Sequence, residues 1–300
     1  VKFSVPGKTF ILGEYAILGG LPAIVAAVPP RFSLESAPSA RSAFHPESPA
    51  GRLLAGTPFT DDFPYVFHDP LSGAGGFGAS TAQFALCYQA FARELGWSLD
   101  WRDVWQKYRE VSTGSGADLM TQWLGGIRRC RVSPIEDGEG IPSAEPLAAQ
   151  CAIWPNLMIF SASHQAGRKT ATHHHLAGTL SAPDFGAVVE ELRAPLDAGF
   201  AAVERGDLAN FGRSMNQYAE VLRKSGLEIE PTRADCEVLG RIPGVLGVKG
   251  TGANQSDAII VLADSDSGCK ERITAAARAR DLKLVSGGLA PENGISHRHD

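Results

Sequence analysis

The chain has 300 residues, of which 44% are hydrophobic and 20% charged, and it carries a formal net charge of −5. That length can bury a sizeable core in two domains or one large one, and the composition is that of an ordinary globular protein rather than a disordered or fibrous one. A negative balance argues against a basic face for nucleic acid, and no apolar run is long enough to span a bilayer, so neither partner is expected.

Chain order then gives the elements. "KFSV" and "TFIL" read as two short strands separated by Pro6-Gly7. "PAIVAAV", residues 22–28, is β-branched and apolar and reads as a buried strand. Residues 37–70 are rich in Pro, Ser, Ala and Gly, which predicts loops and short edge strands. Over 80–95, Phe84, Tyr88, Phe91 and Leu95 fall on one face of a helix that Gly96 stops. A second helix is expected over 101–111, a short helix or turn at "LMTQWLGG" and a strand at "IRRCRV". Residues 133–146 are polar, contain Gly and Pro, lack periodicity and read as a linker. Beyond it come a strand at "LMIFSA", helices over 185–204 and 208–224 with Pro195 expected to kink or break the first, strands at "VLGVKG" and "DAIIVLA", a helix at "SGCKERITAAARARD" and a last strand at "LKLVSGGL". Strands and helices intermix in both halves, which gives an α+β class with two domains, 1–145 and 146–300.

Cys87, Cys130, Cys151, Cys236 and Cys269 are odd in number and show no C-x-x-C spacing, so reduced thiols are expected. "VKFSVPGK" has no signal-peptide apolar region, and the expected location is cytoplasmic.

One stretch invites chemistry. "GAGGFGAS", residues 73–80, precedes the amphipathic helix. Glycines let backbone approach a ligand closely, and the N–H groups and dipole of a helix start favour an anion. The loop lacks the Gly-Lys-Ser/Thr ending of a Walker A sequence, and no clear apolar strand runs into it as a dinucleotide fingerprint requires. Taken alone, it reads equally well as a phosphate cradle or as a glycine turn with Ser80 as a helix cap.

Two further stretches change that balance. Pro6-Gly7-Lys8 with Gly13-Glu14-Tyr15, Gly76-Phe77-Gly78-Ala79-Ser80-Thr81 and Gly252-Ala253-Asn254-Gln255-Ser256 resemble, in order, the three motifs of the GHMP kinases, and "GSGADLM" resembles their Gly-x-Asp segment. The resemblance spans nearly the whole chain. It implies a two-domain GHMP kinase fold, with an N-terminal domain like ribosomal protein S5 domain 2 carrying the ATP site and a ferredoxin-like C-terminal domain. It also implies ATP-dependent phosphorylation of a small molecule with Mg²⁺, and a homodimer, since dimers are common in that superfamily.

Carried over residue by residue, Asp118 would be the catalytic base and Lys8 its cationic partner; by themselves they read as a helix-capping Asp and a solvated Lys. Gly73, Gly75, Gly76, Gly78, Ala79, Ser80 and Thr81 would bind the nucleotide. Glu14, Tyr15, Gly252, Ala253 and Asn254 would face the acceptor, and the cationic "GRKTATH" would offer Arg168 and Lys169 to an anionic one. Ser80 matches a metal-binding serine of mevalonate kinase, and Glu110 is the nearest match to its metal-binding glutamate, although its spacing departs and a solvated or salt-bridged helix Glu fits better. Two departures stand out: Ala79 replaces a serine, and Asn254-Gln255-Ser256 replaces three glycines. His173, His174 and His175 read as a solvated run, since consecutive rings cannot converge on one ion from a regular element. "GEYAIL" and Asp257 resemble phosphomevalonate kinases, whereas "GGLPAIVAAV" resembles mevalonate kinase. Phosphomevalonate is therefore the first expected acceptor and mevalonate the second, and the altered loops leave open a non-catalytic nucleotide-binding protein.

Overall fold

The computed structural model describes residues 1–37, 44–55, 57–59, 62–132, 142–162, 178–179, 182, 184–253, 258–266 and 268–298. Its first sheet is built on β1 (Lys2–Leu12), which pairs antiparallel with β2 (Ala23–Ser36). The two strands expected around Pro6-Gly7 are one continuous strand. Between Pro6 and Gly7 the register slips, so that Pro6 faces Arg31 and Gly7 faces Val28. Pro29 and Pro30, which have no N–H to give to the ladder, sit in that irregularity. On β2 lie β3 (Tyr65–His68) and β4 (Ile127–Arg131), and β5 (Ser143–Pro146) pairs with β4. The end of the expected linker is thus a strand; residues 133–141 lie outside the described residues.

Helices cover this sheet: α1 (Pro49–Ala55), α2 (Ala79–Leu95), α3 (Trp101–Val111) and α4 (Ala117–Leu124). The first was expected to be loop. It starts on Pro49, whose fixed φ suits a first helical turn, and buries Leu53 and Leu54. Along α2, Phe84, Tyr88 and Phe91 are buried as the periodicity requires, whereas Leu95 at the last turn is exposed. Burial of each such ring contributes roughly 1.5–3 kcal/mol.

The second sheet holds β6 (Leu157–Ala162), β7 (Val245–Thr251), β8 (Ala258–Ala263) and β9 (Leu282–Ser286), all antiparallel, in the order β7-β8-β6-β9. Helices α5 (Phe185–Arg205), α6 (Leu208–Lys224) and α7 (Glu230–Gly240) connect β6 to β7, and α8 (Cys269–Arg278) connects β8 to β9. That strand order with helical crossovers is the ferredoxin-like arrangement. Pro195 does not break α5: the proline is buried, and its carbonyl accepts a hydrogen bond from Ser214 Oγ of α6 at 2.6 Å, so tertiary packing sustains the helix. Besides α1, two elements were not anticipated. One is α7; the other is β10 (Ser296–Arg298), which returns from the C-terminus to the free edge of β1.

The main core is continuous between the halves, joining Val5, Phe84 and Trp105 to Trp154, Phe211 and Leu262. A second cluster lies between the second sheet and α7 and α8, around Phe160, Leu239 and Ile273. A third, around Phe10, Val25 and Met120, seats α4 on the first sheet. All five cysteines are buried and free, and burial pushes the Cys130 thiol up to about 12. Among the described residues no helix is long and apolar enough to cross a membrane.

Close approach of α6 to β7 requires Gly212, where a Cβ would stand 2.5 Å from the Leu246 carbonyl oxygen. Gly212→Val is expected to lower stability by about 1–3 kcal/mol in urea unfolding, the usual cost of overpacking. An unchanged midpoint would contradict this contact.

Candidate active site

Four segments far apart in the chain meet at one cleft of about 340 Å³. β1 supplies Lys8 and Phe10, and the turn after it supplies Glu14 and Tyr15. The glycine loop supplies Gly73, Gly75, Gly76 and Gly78, and the first turn of α2 supplies Ala79, Ser80 and Thr81. Asp118 comes from the first turn of α4, and Gly252 and Ala253 from the end of β7.

The loop is held at both ends. Asp69 opens it, its carboxylate accepting from the Leu71 and Gly73 amides, each at 2.8 Å. Phe77 closes it: the ring is fully buried, and the Phe77 carbonyl accepts the Lys8 amide at 3.0 Å. Gln122 of α4 completes the clamp, its Nε2 donating to the carbonyls of Pro6 at 3.0 Å and Gly78 at 3.3 Å. The residue capping α2 is Gly78, with φ +80, and no side chain caps the helix. The first-turn N–H groups of a helix have no partner within it, so here they remain available to an anion, which the helix dipole also favours.

Beneath this helix start, Lys8 Nζ stands 3.0 Å from Asp118 Oδ2, the lysine side chain 6% and the aspartate 29% exposed. The ammonium also lies 4.9 Å from the centre of the Phe10 ring. A buried cation thus faces a carboxylate that reaches solvent through the cleft. Tyr108 of α3 lines the same wall; burial raises its phenol, whose hydrogen bonds to Ser112 and Thr81 oppose that shift. Opposite, Tyr15 has φ 63, strained for a residue with a side chain at roughly 1–3 kcal/mol. Its hydroxyl donates to the Ala253 carbonyl at 2.7 Å, which ties the first motif to the third.

Most residues nominated from sequence therefore share one cleft. Glu110 does not. It sits on the exposed face of α3, its carboxylate 2.9 Å from Lys107 Nζ, and it is not among the cleft-lining residues. The cause is helical phase: Val104, Tyr108 and Val111 take the inward face of α3, which turns Glu110 outward. Among the described residues no group of three His, Cys, Asp or Glu could hold a metal ion. Arg168, Lys169, the histidine run, and Asn254 through Asp257 lie outside the described residues. Sequence reasoning missed Gln122, Tyr108 and Lys249, the last a fully buried lysine paired with Glu14. Only Lys249 carried a signal, as a charge inside an apolar strand pattern.

Sequence comparison finds no matching family model and no matching curated protein. Comparison with solved structures is different. The chain is similar to L. major mevalonate kinase in complex with R-mevalonate, at 18% identity over 98% of this chain and 95% of that one, with a TM-score of 0.69. It is similar to Streptococcus pneumoniae phosphomevalonate kinase in complex with phosphomevalonate and AMPPNP, at 14% identity over 95% and 98%, with a TM-score of 0.73. It is also similar to Lactococcus lactis galactokinase complexed with galactose, at 11% identity over 98% and 94%, with a TM-score of 0.69. These are GHMP kinases, and the chain has the GHMP kinase fold over nearly its whole length.

A Cβ on Gly78 would stand 2.9 Å from Lys8 Cγ, at a backbone conformation that L residues resist. Gly78→Ala is therefore expected to cost about 1–3 kcal/mol in thermal or urea unfolding. A wild-type midpoint would show that the loop does not bear on Lys8.

Proposed function

We propose that this chain is an ATP-dependent small-molecule kinase, with phosphomevalonate as its first acceptor. The observation that carries the reading is the Lys8–Asp118 pair, 3.0 Å apart, at the foot of a glycine loop and an uncapped helix start. Phosphoryl transfer asks the protein mainly to position the reactants and to neutralise charge. The triphosphate would rest on the N–H groups of residues 76–81, where bare glycine backbone permits close approach. The acceptor hydroxyl would lie between Asp118 and the γ-phosphate. Asp118 takes the hydroxyl proton as the oxygen bonds to phosphorus, the bond from phosphorus to the bridging oxygen breaks, and ADP leaves with that electron pair. Lys8 sits where it would offset negative charge on the acceptor oxygen.

Magnesium enters this reading with the nucleotide. Ser80 Oγ and the Asp118 carboxylate are the cleft-wall donors beside the proposed phosphate site, a set suited to an ion held mostly by phosphates and water rather than by a protein cage. Bound there, it would supply charge neutralisation on the phosphates. The division near residue 145 into an ATP-binding half and a C-terminal half belongs to the same proposal. Mevalonate is the second acceptor, on the likeness of "GGLPAIVAAV" to mevalonate kinases.

ADP release should be followed with phosphomevalonate, mevalonate, homoserine and galactose, for the wild type and Asp118→Asn. The account expects turnover with one of the first two and a kcat loss of about 10²–10⁴ in the variant, with ATP binding kept. Full turnover by Asp118→Asn would remove the assigned base. ATP binding without turnover on any acceptor would favour a non-catalytic nucleotide-binding protein.

A further inference from the structure

The cleft has a second buried ion pair, and the proposed reaction does not use it. Lys249, in the middle of β7, has a fully buried side chain, and its ammonium contacts Glu14 Oε1, whose side chain is 3% exposed. The partners come from opposite ends of the chain. Among the described residues, neither charged group gains a hydrogen bond from any third side chain. A charge taken out of water needs a counter-charge, so each is the condition for the other's ionised form. Glu14 also lines the cleft.

The surroundings show what the pair holds. The Glu14 carbonyl accepts the Tyr218 hydroxyl of α6 at 2.7 Å, and the adjacent Tyr15 hydroxyl reaches Ala253 just beyond β7. Thr251 Oγ1 donates to the Phe10 carbonyl at 2.6 Å. Glu14 and Tyr15 are thereby fastened to the second half, and among the described residues the Lys249 ammonium is the cation paired with Glu14. Burial pushes the Glu14 carboxyl up, and Lys249 is the foremost group pulling it back down. The other titratable groups turned to the pair are Lys8 of β1, Tyr15, Tyr218 of α6, Glu228 ahead of α7, and Cys236 of α7.

We propose that Lys249 is a positioning residue of this site: its buried ammonium keeps Glu14 an anion in the cleft wall and holds the end of β7 against the first motif, so that it acts on the acceptor through Glu14. This rests on the kinase reading of the cleft. Among the described residues Lys249 pairs with Glu14 and not with Asp118, and it does not line the cleft beside the glycine loop, so acceptor binding should respond to it while nucleotide binding does not.

Three measurements test it. In wild-type protein with ¹³C-labelled glutamate, the assigned Glu14 Cδ should show an ionised carboxylate at pH 7; a protonated one overturns the proposal without any variant having to fold. In steady-state assays with phosphomevalonate, or with mevalonate if that is the acceptor turned over, Lys249→Met should raise acceptor KM about tenfold or more and leave the affinity for a fluorescent ATP analogue within about twofold. The double variant Glu14→Gln/Lys249→Met removes both charges, so it should recover the melting temperature lost by Lys249→Met while acceptor KM stays raised. Recovery of KM together with melting temperature would make the pair a purely structural one and overturn the proposal, as would wild-type KM in Lys249→Met. Failure of the wild type to bind the ATP analogue would instead sink the kinase reading, and the carboxylate measurement would still judge Lys249.

Discussion

An ammonium buried on a strand of the first sheet must either reach water or meet a counter-charge, because leaving it alone in the interior costs several kcal/mol. Lys8 meets Asp118. To do so it needs α4 seated on β1, the glycine loop folded over its aliphatic stem, and no Cβ at residue 78. The same strand donates the Lys8 amide to Phe77 and offers the Pro6 carbonyl to Gln122. It also offers the Phe10 carbonyl to Thr251. Strand β1 is thus the spine on which the loop, the acidic helix and the end of β7 are assembled, and the bulge at Pro6-Gly7 lies immediately before the lysine that the cleft requires.

The two halves are one packing problem. The main core is shared between them, β10 returns to the edge of β1, and Tyr15 and Tyr218 each place a hydroxyl on a carbonyl of the other half. Buried hydroxyls that find partners fix relative position more sharply than apolar contact does, since losing such a partner leaves a desolvated polar atom. A cleft walled by both halves keeps its width only if that relative position is fixed. The polar seam between the first and third motifs does this close to the site, where a strained Tyr15 is tolerated because the surrounding bonds determine its place.

Much of this was legible in the sequence, for physical reasons that differ by element. The helices over 101–111 and 208–224 and the strand over 157–162 have strong periodicity or unbroken apolar runs, and the structure keeps their bounds. The glycine loop became legible through its neighbours along the chain rather than by itself. Short elements whose pattern is set by packing escaped: α1 lies in a Pro-rich stretch, α7 begins on a proline turn, and β10 exists through pairing with a strand at the other end of the chain. Pro195 stays inside α5 because its local cost is offset by contacts that no local window contains. Glu110, whose spacing already favoured a solvated or salt-bridged helix Glu, pairs with Lys107 on the outward face of α3. The Glu14–Lys249 pair was invisible for the same reason as β10, since the partners are distant in the chain and adjacent in space.

The central claim is that the start of α2 and the loop before it receive the phosphates of a nucleotide above Lys8 and Asp118. Amide hydrogen exchange with and without AMPPNP and Mg²⁺ reads this directly, because a ligand held by backbone N–H groups slows their exchange. The account predicts added protection concentrated in residues 73–82, with β1 around Lys8 following. Protection elsewhere with residues 73–82 unchanged, or no protection at saturating nucleotide, would contradict it.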